Sequence, residues 1–331
     1  MRYTISGTYD GEILKNYLYK DLGLSHSAVT YLKNQENGIM LNGKHVTVRA
    51  CLKCGDVLDI MYEDKFSDMN EKIIPVKMPL DILYEDDSLI LCNKPAFVPT
   101  HPSHGHGADT LANGLADYFR EKDIPFVFRA VNRLDADTSG VVLVAKNRLA
   151  AAEMSRRMMA GQIEKKYLAV LRGKFEDTLA DTVEIIANIG RCEKSVIFRE
   201  VKSEGCGDFA LTKYKKILEY EIDGTVYTIV IAYPVTGRTH QLRVHFAYIG
   251  HPIAGDRMYA PECMSENSGM FGYNASPPKK IISRQALHAL SLNFVTYSEN
   301  KNIEVYAPIP DDMKKILPEG FSLEYIKEFM N

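Results

Sequence analysis

Val131-Asn132-Arg133-Leu134-Asp135-Ala136-Asp137-Thr138-Ser139-Gly140 runs directly into Val141-Val142-Leu143-Val144-Ala145. A charged loop thus feeds a run of β-branched and aliphatic residues bounded by Gly140 and by Lys146-Asn147, which is the pattern of a buried strand. A rigid strand fixes the loop before it, and such loops commonly carry chemistry. Asp135 stands between Arg133 and the hydroxyls of Thr138 and Ser139. If those groups touch it, they favour its ionised form, and a partly desolvated carboxylate can act as a nucleophile. On composition alone the same residues also read as a turn closed by Asp and Ser side chains.

The chain has 331 residues, a length that suits two domains or one large domain with a small module. A hydrophobic fraction of 46% is enough for an ordinary globular core. The net charge of -3 gives no global nucleic-acid signature, so any nucleic-acid face must be local. The six cysteines are scattered, and Cys51-Leu52-Lys53-Cys54 has no second pair at zinc spacing, which favours free thiols in a reducing compartment. The start Met1-Arg2-Tyr3-Thr4 leads into no apolar run, and no stretch reaches membrane-spanning length. A soluble cytoplasmic protein is expected.

Outward from the central stretch, Ile13, Leu14, Tyr17, Leu18 and Leu22 share a helical face that Gly23 ends, and Ser25 is placed to cap a second helix carrying Val29 and Leu32. Asn42-Gly43 between Ile39-Met40-Leu41 and Lys44-His45-Val46 predicts a hairpin, followed by a strand over Val57-Leu58-Asp59-Ile60. The domains expected are residues 1–63, a linker at 64–78 that lets the module reorient, and a larger domain over 79–331. In that domain a hairpin covers 82–92, and Asp109 is placed to cap a helix over 110–119. A helix over 150–159 has Arg156 and Arg157 on one face. His101, His104 and His106 sit on a Pro/Gly-rich loop without the partners of a metal site, so no metal is expected. Lys213, Lys215 and Lys216 beside Tyr214 form either an RNA contact or a solvated strand face, the second being the simpler reading. Residues 261–280 read as a surface excursion, and a helix closes the chain.

Asn132 to Gly140 resembles the catalytic motif His-Arg-Leu-Asp-x-x-Thr-Ser-Gly of the RluA-type pseudouridine synthases, with Asn132 where His is usual. Lys165-Lys166-Tyr167-Leu168-Ala169 resembles that family's Lys-x-Tyr-Leu-Ala segment, and Gly237-Arg238-Thr239-His240-Gln241-Leu242-Arg243 its Gly-Arg-Thr-His-Gln-x-Arg motif. His251-Pro252-Ile253-Ala254-Gly255-Asp256 and Pro308-Ile309-Pro310-Asp311-Asp312 continue the likeness. The N-terminal residues Leu41-Asn42-Gly43-Lys44 and Leu52-Lys53-Cys54-Gly55-Asp56 are similar to the alpha-L RNA-binding module of the ribosomal-protein-S-four type, with His26 where Arg is common.

The resemblance implies an α+β fold with a mixed, mainly antiparallel central sheet and a small N-terminal alpha-L module. It implies isomerisation of uridine to pseudouridine in RNA without a cofactor, by a monomer. Large-subunit ribosomal RNA is the expected target and transfer RNA the alternative. Other readings are a non-catalytic RNA-binding or ribosome-assembly protein, and a hydrolase of a sugar bond. By the same resemblance Asp135 is the catalytic carboxylate acting at the sugar, as nucleophile or base. Arg243 pairs with it in a bidentate manner, and Tyr167 stacks on the base. Arg133 fills the gap left by the extruded nucleotide. Asn132, Thr138, Arg238, His240 and Gln241 complete the expected substrate contacts.

Overall fold

The computed structural model describes residues 2–24, 26–62, 73–176, 181–193, 195, 197–260, 281–297 and 300–330. The chain opens with β1 (Arg2–Thr4), then α1 (Leu14–Asn16), which runs on as a π-helical turn over Tyr17–Asp21, and α2 (His26–Lys33). β2 (Ile39–Leu41), β3 (Lys44–His45) and β4 (Val57–Ile60) follow. They form a four-stranded sheet in the order β1-β4-β2-β3. The β2–β3 hairpin turns through Asn42 and Gly43, both at positive φ (52° and 74°), as the Asn-Gly pair requires. Leu14, Tyr17, Leu18, Val29 and Leu32 bury against this sheet, whereas Ile13 lies outside the expected apolar face and is 47% exposed. The first strand, β1, has too little alternation to be read from sequence and exists by pairing with β4.

The larger unit is a ten-stranded sheet. It comprises β5 (Ile82–Glu85), β6 (Leu89–Lys94), β7 (Arg129–Ala130), β8 (Ser139–Ala145) and β9 (Glu164–Arg172). After these come β10 (Thr182–Ile186), a separate hairpin of β11 (Ile189–Arg191) and β12 (Arg199–Val201), then β13 (Leu211–Ile222), β14 (Thr225–Pro234), β15 (Leu287–Val295) and β16 (Asn302–Tyr306). The helices are α3 (Leu111–Glu121), α4 (Arg148–Met159), α5 (Gln241–Tyr248), α6 (Asp311–Lys314) and α7 (Leu323–Met330). The strand order is β10-β13-β14-β9-β15-β8-β6-β5, with β16 on β15 and β7 on β8. Every described pairing is antiparallel except β15 with β8.

β8 explains why its sequence is apolar without alternation. Val142 and Val144 face α3 and its cluster, while Val141, Leu143 and Ala145 face α4. A strand covered on both faces needs no polar side. The parallel β8–β15 junction is close: a Cβ at Gly140 (φ 116°) would lie 2.1 Å from the Ala289 carbonyl oxygen. It also brings the loop before β8 beside residues 284–287, which lead into β15.

Four expectations change. α3 is capped by Thr110, not Asp109, through a reciprocal Thr110–Asn113 capping box; Asp109 instead pairs with His106 at 2.7 Å. Residues 73–78, expected to be linker, belong to the large unit: Ile73 is buried there, Asn113 donates to the Ile74 carbonyl and Val76 N–H to the Asn113 carbonyl. The N-terminal unit is docked. Leu149 of α4 is buried in its core, Tyr297 packs against it, and the Arg148 guanidinium lies 5.6 Å from the Tyr31 ring. Lys216 is buried, donating to Glu219 and the Phe175 carbonyl, so only Lys213 and Lys215 are part of an open strand face. The cap at Ser25, residues 64–72 of the linker and the excursion at 261–280 lie outside the described residues. Among the described residues no helix is long and apolar enough to cross a membrane, and the cysteines are free thiols.

Candidate active site

The strand register sets the floor of a cleft. Gly140 pairs with Ala289, Ala289 with Tyr167, and Tyr167 with Ala232. Directly paired residues project to the same face, so Tyr167 is flanked by Ala289 and Ala232, with Gly140 one strand further on, and it stays part-exposed. Above it lies a cavity of about 570 Å³ lined by Asp135, Tyr167, His101, Lys165, His240 and Arg243, within the size range of roughly 300–1,000 Å³ of small-molecule sites.

The Asp135 loop is held at almost every residue. Thr100, buried, donates its hydroxyl to the Leu134 carbonyl and accepts from the Leu134 N–H. Lys94, fully buried, donates to the carbonyls of Pro95, Val98 and Ala136. Arg284 donates to the Asp137 carbonyl and to Ser139 Oγ, and is itself clamped by both oxygens of Asp312. Gln285 donates to Thr138 Oγ1. None of these polar partners was marked by local spacing. They come from residues 94–100 and 284–285, about forty before and 150 after the loop.

Asp135 keeps 31% exposure and receives one N–H of Arg243, from Nη1 to Oδ2 at 3.0 Å. The bidentate face of Arg243 is turned to Asp256 instead, at 2.6 and 2.9 Å, which corrects the expected bidentate Arg243–Asp135 pair. Burial works against the charge on Arg243, but Asp256 and Asp135 outweigh it and raise its pKa. The guanidinium is therefore a permanent cation, fixed by Asp256 and aimed at Asp135. The hydroxyls of Thr138 and Ser139 do not support the carboxylate: they serve Gln285 and, for Ser139, His288 and Arg284. Among the described residues Oδ1 of Asp135 accepts no hydrogen bond.

The cleft also gathers other expected residues, in different roles. Tyr167 is half-buried, and burial together with the Asp135 charge pushes its phenol pKa up. His240 sits in a left-handed conformation (φ 57°) at the start of α5. Its Nδ1 meets the Tyr259 hydroxyl at 2.8 Å, and its Nε2 is 3.8 Å from Asp135. Burial holds this imidazole below its ordinary pKa, against the pull of Asp135. Arg133 is exposed at the lip without a partner among the described residues, and Arg238 is exposed while donating Nε to the Phe209 carbonyl.

Asn132, Thr138 and Gln241 line the cleft and also make structural hydrogen bonds. Asn132 donates to the Val141 carbonyl and accepts from Leu143 N–H, extending the pairing of β8. This is a role that Asn performs without the acid–base capacity of His. Gln241 accepts from Thr236 Oγ1 and Arg238 N–H and donates to Leu211 O and Thr212 Oγ1, which staples the turn before α5. At the basic end of α4, Arg156 and Arg157 share the single carboxylate of Glu153, which offsets one of their two charges. Among the described residues no cluster of His, Cys, Asp and Glu could hold a metal ion.

A guanidinium-anchored carboxylate and a part-exposed tyrosine ring lining one cleft suit chemistry on a planar base. Residues 88–248 match the family model described as RNA pseudouridylate synthase. The chain is 34% identical over 297 residues to YjbO of Bacillus subtilis (strain 168), named an uncharacterized RNA pseudouridine synthase, covering 90% of this chain and 95% of that protein. It is 30% identical to the ribosomal large subunit pseudouridine synthase C of Pasteurella multocida (strain Pm70), over 95% of this chain and 92% of that one. The solved human RNA pseudouridylate synthase domain containing 1 superposes with a TM-score of 0.53 at 29% identity, covering 70% of this chain and 83% of that chain. The chain belongs to the RluA-type RNA pseudouridine synthases, isomerases that act on RNA.

Proposed function

We propose that this protein isomerises uridines of large-subunit ribosomal RNA, as a cytoplasmic monomer, with Asp135 as the catalytic carboxylate. The observation that carries the reading is the asymmetry of Asp135. Oδ2 is anchored by Arg243, while Oδ1 accepts no hydrogen bond among the described residues and lies in a cleft floored by Tyr167. The overall change breaks the bond between ribose and nitrogen 1 of uracil and joins the ribose to carbon 5. Carbon 5 loses a proton and nitrogen 1 gains one, so the atoms balance with no donor and no oxidant.

Each residue has a task in that change. Asp135 acts at the sugar through Oδ1. Arg243 holds the carboxylate in place and balances its charge in the shielded cleft. Tyr167 stacks under the uracil. Its raised pKa keeps the phenol protonated at neutral pH, so it can stack, donate a hydrogen bond and assist proton transfer. The reacting base must leave its stack, which costs a few kcal/mol and less in loops. Arg133, exposed at the lip, enters the vacated space, and Arg238 meets phosphate. The N-terminal unit adds RNA contacts from its exposed Lys33, Lys44, Arg49 and Lys53.

The ribosomal target is supported by the name of the Pasteurella relative and by that of a 33% identical ribosomal large subunit pseudouridine synthase D of Xylella fastidiosa (strain Temecula1 / ATCC 700964), covering 84% of this chain and 80% of that one. The test is tritium release from unmodified transcripts labelled at uracil carbon 5. Release from large-subunit ribosomal RNA is expected. Release from transfer RNA alone would replace that target.

A further inference from the structure

The cleft does not end at Lys165. That residue and Pro234 also line a second cavity of about 340 Å³, whose walls include Lys213, Lys215, Tyr233 and Glu164. The two spaces meet over the ends of β9 and β14. By register, Lys213 pairs with Tyr233, one residue beyond the Ala232–Tyr167 pair. The side groove therefore continues onto the sheet face opposite the Tyr167 ring.

Its charge stands out against the acidic balance of the chain. Lys165 has a buried stem and no carboxylate partner among the described residues; its ammonium donates only to the Thr236 carbonyl, at 3.3 Å. Burial alone pushes it down to about 8, so an arriving anion would restore its full charge. Among the described residues Lys215 donates only to the Phe329 carbonyl, at 3.4 Å. Lys213 pairs with Glu184 at 2.8 Å, both side chains more than 40% exposed. Pairs of that kind contribute about 0–1 kcal/mol and are readily exchanged. Lys213 and Lys215 lie two positions apart on one face of β13, about 6.8 Å along the strand. They form a short row of cations beside the cleft that takes the target base.

We infer that this groove is a second RNA-contact site, which holds the phosphodiester backbone of nucleotides adjoining the target uridine as the strand passes over the end of β9 and β14. The inference rests on the proposed RNA reading of the cleft. Three lysines against Glu164 and Glu184 leave one net positive charge, an attraction for phosphate that carries no base preference. The groove thus adds affinity and fixes the direction in which the strand leaves the cleft.

The test is a double variant, Lys213→Gln with Lys215→Gln, in the full chain. Affinity for an unstructured RNA is measured from low to moderate salt, together with kcat and KM for tritium release. Two lost phosphate contacts should make the plot of log affinity against log salt shallower by about 1.4, at about 0.7 per contact on single strands. KM should rise roughly tenfold at low salt with kcat unchanged, and Lys213→Arg with Lys215→Arg should restore both. Glu184→Gln, which releases Lys213, should steepen the plot. An unchanged slope in the Gln pair and in Glu184→Gln overturns the groove. A wild-type protein that turns over no RNA overturns the proposed function instead, and the binding slope alone still decides the groove.

Discussion

Arg243 carries more than charge. Two of its N–H groups are committed to Asp256 and a third to Asp135, so the guanidinium transmits a fixed geometry from α5 to the carboxylate. A lysine cannot span both partners. Arg243→Lys is expected to lower kcat about 100-fold or more with KM for RNA changed less than threefold, the pattern of an interaction that matters in the transition state. A second residue-scale expectation concerns acid. His288 is fully buried between Ser139 and the Ala307 carbonyl, and burial pushes it down to about 4 from 6.5. The unfolded chain therefore takes up this proton first as pH falls below about 6.5, and the folded chain only near 4. Stability is full above that window and is lost through it, by roughly 3 kcal/mol for this one group. His245, also buried and lowered by burial, acts in the same direction. Urea unfolding at pH 7, 6 and 5 checks this. A constant stability across those values would contradict it.

At the scale of elements, the site is a loop made rigid by a strand junction. The β8 run, the hairpins and the turn before α5 were legible because their signals are local: β-branched runs, Asn-Gly, and a glycine at a strand end. Asp135, Tyr167 and Arg243 were legible through their motifs, and the structure gathers them in one cleft. The roles of Lys94, Thr100, Arg284 and Gln285 were not, because each acts on a partner far away in sequence; Asp256 lies in a stretch that follows the family pattern, but its pairing with Arg243 across a turn was not read from it. The structural hydrogen bonds of Asn132 and Gln241 were not legible for the same reason: an amide reads alike whether it meets backbone or ligand. The junction itself gives a prediction. Gly140→Ala would drive a methyl into the Ala289 carbonyl at a positive φ. It is expected to destabilise the protein by well over ~1 kcal/mol, and to lower kcat by shifting the Asp135 loop. Denaturant melts and turnover of the same preparation measure the two effects.

At the scale of the molecule, the N-terminal unit and the ten-stranded sheet share a core. Leu149 is 2% exposed and sits among residues of the small unit, with Tyr297 beside it and Arg148 over Tyr31. Sequence pattern showed two hydrophobic groupings but not that one leucine of α4 belongs to the first of them. The shared core predicts one cooperative melt for the full chain. Leu149→Asp places a charge in that core without a partner, which is costly. It should split the melt into two transitions while leaving tritium release from a minimal stem-loop within about twofold of wild type. A single unshifted transition in that variant would show that the two units do not depend on this contact.

The central claim is that Asp135, anchored by Arg243, performs the isomerisation. The most direct measurement is single-turnover tritium release from carbon-5-labelled ribosomal RNA, comparing wild type with Asp135→Asn at matched RNA occupancy. Complete release by wild type with none by the variant, at similar binding affinity, is the predicted result. Equal release by the two proteins would remove Asp135 from the reaction.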